Sequence, residues 1–311
     1  MLLARRLAIV TVFSTLVLIA LGVVVRATGS GLGCPDWPTC FGGVLPPGNK
    51  HPVIEMSHRF VASGVGLLAI ALAVVCWRHF RHVPLVAYLA AITVPLVGIQ
   101  GLIGAITVTE ELPPEIVATH LLTAFLILSC LVIVAIGIHF HMEAETDGSS
   151  GSPEWQIGVA ALLSITILAV VVWVGGYMTE SGSSTACSGW PLCNGSVIPA
   201  ADDQEVVHML HRYFAAAFGV FALGTAWLLW RTSSAPTFAR PAAAALVTIF
   251  ALQVLVGAFN VWYEFPEWLA VSHTVVASLV WTHLTLVASF VFVRSMGAAH
   301  SEAAAALGAP V

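Results

Sequence analysis

Charge is what this sequence has least of. Asp, Glu, Lys and Arg together make up 9% of the 311 residues, against about 25% in a soluble domain. So few charges cannot cover a water-facing surface, and no basic stripe is present for a nucleic acid to follow. The formal net charge of −5 therefore says little about partners. The apolar runs also lack a polar stripe from end to end, which argues against a histidine-lined pore.

What is present is apolar length. Hydrophobic residues make up 59% of the chain, and the mean hydropathy is +0.95. The apolar residues form eight runs, at about 7–25, 58–77, 83–106, 116–138, 157–178, 209–230, 241–262 and 269–292. Each approaches the roughly 20 residues that cross a bilayer. In lipid the backbone must satisfy itself within the segment, so the runs are predicted to be helices. The first run follows Arg5 and Arg6 and has the look of a signal peptide, but it is long for one and aligns with an internal span. If eight spans alternate, Arg5, Arg6, Arg78, Arg81, Arg231, Arg240 and Arg294 share one side. The positive-inside rule places that side, with both termini, in the cytoplasm of a multi-pass cell-membrane protein surrounded by lipid.

The chain repeats itself. Cys34, Cys40, His58 and His120 recur 153 residues on as Cys187, Cys193, His211 and His273. Trp37, Pro38, Arg59, Arg78, Gln100 and Gly104 fall on the same ruler as Trp190, Pro191, Arg212, Arg231, Gln253 and Gly257. This is a tandem duplication. The expected fold is all-α integral membrane: eight transmembrane helices as two tandem four-helix bundles with pseudo-twofold symmetry about the membrane normal. The expected divisions are an N-terminal bundle over 1–142, a cytoplasmic linker over 143–156, a C-terminal bundle over 157–296 and a frayed tail over 297–311.

The histidines carry the chemistry. His58 and His120 fall near the outer starts of the second and fourth spans, at similar depth, and His211 and His273 repeat the arrangement. Intramembrane polar groups are costly and usually functional. Two imidazoles at equal depth on neighbouring helices can face each other across a flat macrocycle, the geometry of axial haem ligation. No carboxylate or cysteine shares the depth of His120 or His273 at ligand spacing, so haem fits better than zinc or copper. His79, His82, His139, His141 and His300 fit a solvated cytoplasmic side or tail, and His283 a packing role between helices.

The repeat breaks at one position. The first half has Glu55-Met-Ser-His58-Arg59 where the second has His208-Met-Leu-His211-Arg212. Residues i and i+3 share a helix face, so Glu55 belongs beside His58. There a carboxylate can move protons or position water. Arg59 and Arg212 are candidate partners for haem propionates, with snorkelling to the interface as the plainer role. Cys34 and Cys40, like Cys187 and Cys193, lie close together in outward loops. Each pair is expected to form a local disulfide, either as a staple or as a thiol-exchange centre. Cys76 and Cys130 lie in spans as packing residues.

Together, the Glu55-to-Arg59 and His208-to-Arg212 segments, the loop cysteines, Ala118-Thr119-His120 and Ser272-His273 resemble the haem A synthases over about residues 7–292. The resemblance implies oxidation of the C8 methyl of haem O to a formyl group, giving haem A for terminal oxidases. It implies that His58 and His120 flank the substrate haem, with Glu55 as the catalytic group. It implies that His211 and His273 ligate a haem b that carries electrons. It also implies haem O synthase and cytochrome oxidase assembly as partners. The alternative is a di-haem b-type membrane electron carrier, which needs no exchangeable site and leaves Glu55 unexplained.

Overall fold

The computed structural model describes residues 1–144, 155–200, 202–232 and 236–306. Eight helices account for most of them: α1 (Leu2–Ala27), α2 (Lys50–His79), α3 (Pro84–Thr109), α4 (Pro114–Ala144), α5 (Trp155–Glu180), α6 (Asp203–Arg231), α7 (Pro236–Trp262) and α8 (Glu267–Ala306). Each is long and apolar enough to cross a membrane, and no strand occurs among the described residues beyond two isolated bridges, Cys40 with Gly43 and Cys193 with Ser196. The chain is an all-helical membrane protein. Leu67, Tyr88, Val220 and Trp227 are exposed on its flanks, a surface that water would penalise and lipid accepts.

Local chemistry sets the helix starts. Proline opens α3, α4 and α7, where its missing N–H is no loss. Asp202 caps α6 by accepting from the Gln204 and Glu205 amides. The tight turns repeat between the halves: Glu111 and Leu112 adopt positive φ after α3, as do Glu264 and Phe265 after α7. In each, the second residue donates its amide back into the helix, Leu112 to the Thr107 carbonyl and Phe265 to that of Asn260, both at 2.7 Å.

Helices α1 to α4 pack in sequence, and α4 closes on α1; α5 to α8 do the same, and α8 closes on α5. The two groups meet through α1 and α4 on one side and α5 and α8 on the other. Their shared core includes Ile19, Phe125, Leu128, Leu168, Phe218, Trp281 and Leu284. Trp281 is fully buried at its centre. Its ring meets Phe125 edge-on at 5.3 Å, and its Nε1 donates to the Ser129 hydroxyl at 2.7 Å. His283 packs as expected, with Nε2 at 2.9 Å from the Ala242 carbonyl.

Three boundaries differ from the sequence expectation. Residues 143–144 complete α4, and 155–156 open α5; the rest of the expected linker lies outside the described residues. Helix α8 runs on to Ala306 through the stretch expected to be frayed, because alanine has the highest helix propensity; 307–311 lie outside the described residues. On the same side as the α4 C-terminus, His82 and His141 meet with their Nε2 atoms 3.0 Å apart, a pairing that the solvated expectation did not contain.

Replacing Trp281 with alanine removes the largest fully buried side chain between the halves. It should cost about 3–5 kcal/mol, read as a lower thermal unfolding midpoint in detergent. An unchanged midpoint would mean that this core does not join the halves.

Candidate functional site

Four histidines lie against four glycines. A methyl group added at Gly22 of α1 would stand 3.1 Å from Cε1 of His58 on α2, and one at Gly104 of α3 would stand 3.1 Å from Cε1 of His120 on α4. In the second half the corresponding distances are 2.9 Å from Gly175 of α5 to His211 on α6, and 3.0 Å from Gly257 of α7 to His273 on α8. At Gly175 an added methyl would force a shift, and at the other three the ring would have to give by a few tenths of an ångström. Glycine, with no Cβ, accommodates this close approach without adjustment.

The rings come together in pairs. His211 and His273 have centroids 6.5 Å apart. A metal–imidazole bond of about 2 Å puts each centroid about 3 Å from the metal, so two opposed ligands sit about 6 Å apart. His58 and His120 are close enough to interact electrostatically. Nδ1 of His58 and of His120 is buried with no hydrogen-bond partner. Leaving such groups unsatisfied in an apolar bundle is costly, which sets these rings apart from ordinary packing residues. No group of three or more His, Cys, Asp or Glu converges among the described residues. The arrangement offers two imidazoles per half with apolar walls, which suits a bis-histidine haem.

The pairs are not equivalent. Glu55 is 4% exposed; its Oε2 accepts from the Cys34 amide at 2.8 Å, and its Oε1 pairs with Arg59. The Arg59 Nη1 also donates to the Asp36 and Thr39 carbonyls at 2.9 and 2.7 Å. Glu55 and Arg59 therefore fasten the Cys34 loop onto α2, one turn outside His58. In the second half, His208 Nε2 lies 2.9 Å from Arg212 Nη2, and Arg212 Nη1 donates to the Pro191 carbonyl at 3.1 Å. The fastening is retained there with no carboxylate at the Glu55 position; Glu205, nearer the start of α6, holds the loop instead by accepting from Asn194 Nδ2 and the Ala200 amide at 2.9 and 3.0 Å.

The glutamines differ too. Gln100 donates to the His120 carbonyl at 2.7 Å and accepts from the Thr123 hydroxyl. Gln253 instead reaches the His273 ring, 3.1 Å from Nε2, and its Oε1 is buried without a partner. Val276 stands where the first half has Thr123.

Both expected disulfides are present, Cys34–Cys40 and Cys187–Cys193, with Cα atoms 4.8 and 4.6 Å apart. In the first loop the Asp36 carboxyl is held below its usual range, chiefly by the Thr39 hydroxyl and then by the Gly42 and Phe41 amides. A lowered pKa means that these bonds favour the ordered loop above the ordinary carboxylate range. The preference fades only as pH falls through the lowered value. Cys76 and Cys130 are free thiols within spans.

Sequence reasoning missed Gly22 and Gly175, although both fall on the same ruler as the histidines. It also missed contacts between the halves. Trp173 of α5 donates to the Thr119 hydroxyl at 3.2 Å, and a methyl at Gly176 would stand 3.1 Å from Cα of Ala118. The pair Gly175-Gly176 thus touches the His211 ring on one side and the His120 helix on the other.

Gly175→Ala should push His211 out of place at about 1–3 kcal/mol, lowering the thermal midpoint. Gly224→Ala is the control, since nothing stands within 4 Å of its added methyl. Equal effects from both would remove the argument from close approach.

Residues 5–285 match the family COX15-CtaA, described as cytochrome oxidase assembly protein. The heme A synthase of Shouchella clausii is 33% identical over 70% of this chain and 73% of its own length. That of Alkalihalophilus pseudofirmus is 31% identical over 70% and 73%. That of Shewanella oneidensis is 27% identical over 92% and 96%.

Proposed function

The chain belongs to the COX15-CtaA family of cytochrome oxidase assembly proteins, and from that premise we propose that it is a haem A synthase, oxidising the C8 methyl of haem O to a formyl group. The observation that carries this is the unequal duplication: two pairs of glycine-seated imidazoles, with Glu55 beside one pair and His208 in its place beside the other. An enzyme needs one site that exchanges its porphyrin and one that keeps it. A di-haem carrier needs two permanent sites, and the relatives give that alternative no support.

The first half, residues 1–142, then holds the substrate between His58 and His120. The second half, residues 157–296, holds haem b between His211 and His273. Haem b supplies one-electron transfer when bound. The glycine seats fix the ring planes, and the apolar helices exclude water. Glu55 accepts protons released as the methyl group is oxidised, and Arg59, which already pairs with it, holds its carboxylate in place. Any guanidinium N–H groups of Arg59 and Arg212 that the loops and their Glu55 and His208 neighbours leave over are candidate propionate partners. Closure of each four-helix ring on itself and the repeated turns support pseudo-twofold symmetry between the halves. The arginine distribution supports a cell-membrane protein with both termini cytoplasmic. Haem O is insoluble in water, so delivery from haem O synthase through the lipid phase completes the proposal.

Two substitutions test the division of labour. Glu55→Ala should keep the six-coordinate haem b spectrum and lower conversion on the order of 100-fold. His211→Ala should lose the haem b itself. Normal conversion by the first variant, or an intact six-coordinate spectrum in the second, would overturn the assignment.

A further inference from the structure

Arg26, at the outer end of α1, has no hydrogen-bonded or ion-paired partner among the described residues. It is half-buried. Glu180, at the end of α5, is the opposite charge whose field reaches it, yet the two do not pair. A guanidinium left this way beside apolar helices is costly unless something anionic joins it.

Its position says what that is. Arg26 follows Gly22 by four residues, so it lies one turn outward and only about 40° around the helix. Gly22 is the seat of the His58 ring. The guanidinium therefore rises from the same strip of α1 that lines the first imidazole pair. Arg59, the arginine next to His58 in sequence, already has both Nη atoms engaged by Glu55 and by loop carbonyls. The second half has no counterpart: Thr179 stands at that position, and its hydroxyl bonds to the Gly175 and Gly176 carbonyls at 3.1 and 2.8 Å.

We propose that Arg26 receives a carboxylate of the porphyrin held between His58 and His120, so that the first site selects a porphyrin with free acid side chains. The inference rests on the reading of that pair as a porphyrin site. A planar guanidinium matches a carboxylate through two parallel hydrogen bonds. A single such anchor adds affinity and orientation to a ligand that must also leave. It also turns one edge of the ring toward the outer surface, fixing which methyl group faces Glu55.

The test is a titration of the detergent-solubilised full-length protein, carrying its resident haem, with iron protoporphyrin IX and with its dimethyl ester. Binding is followed in the Soret band. His58→Ala locates the titrated site and should abolish the signal for both ligands. Arg26→Gln should weaken the free acid on the order of 10-fold or more, leave the diester unchanged, and keep the resident haem spectrum as a sign of intact folding. Arg26→Lys should recover part of the loss. If Arg26→Gln weakens acid and ester alike, or neither, while His58→Ala abolishes binding, this inference fails alone. If His58→Ala leaves the titration unchanged, the reading of the first site fails, and this inference with it.

Discussion

An imidazole packs closest against a neighbouring helix where that helix has no Cβ, and four such contacts organise this molecule. His58, His120, His211 and His273 each occupy the space above a glycine. The contact fixes the helix separation, the depth of each ring and the plane it presents. It also ties α1 to α2, α3 to α4, α5 to α6 and α7 to α8 in one recurring manner. A duplicated chain therefore delivers two pairs of imidazole rings within an apolar bundle, each ring packed so closely on a glycine that a methyl group there would crowd it.

On this shared frame the halves diverge through a few polar residues. Glu55, Arg59 and the Cys34 amide form a charged fastening in the first half. In the second half His208 and Arg212 stand at these positions, and the carboxylate moves to Glu205, away from the histidine pair. Gln100 is held by Thr123 and the His120 backbone, whereas Gln253 turns to the His273 ring. None of these changes disturbs the glycine seats. The polar surroundings of the two pairs thus differ while the helix packing stays common, and Trp173 and Gly176 hold the two halves in contact beside the histidines.

Much of this was legible in the sequence because lipid imposes strong rules. The spans, the duplication, the histidine pairs, the local disulfides and the Glu55–His208 exchange all followed from run length and fixed spacing. The helix rotations did not. A span that is apolar all round gives no stripe to show which face meets which neighbour, so the partners of Gly22 and Gly175 were hidden among 26 glycines. Loop contacts were hidden for a similar reason: nothing in the spacing of Arg59 says that it reaches back to the Asp36 and Thr39 carbonyls. The continuation of α8 through the alanine-rich segment was missed because tail position was weighed above propensity.

The central claim, two imidazole-bound porphyrins with unequal tasks, is tested most directly by extracting the haems from membranes that contain this chain together with a source of haem O. Separation of the extract by chromatography should reveal a formyl-bearing haem that depends on this chain, alongside protohaem retained by the purified protein. An extract holding only haem O and protohaem, from membranes in which the chain is present and folded, would contradict it.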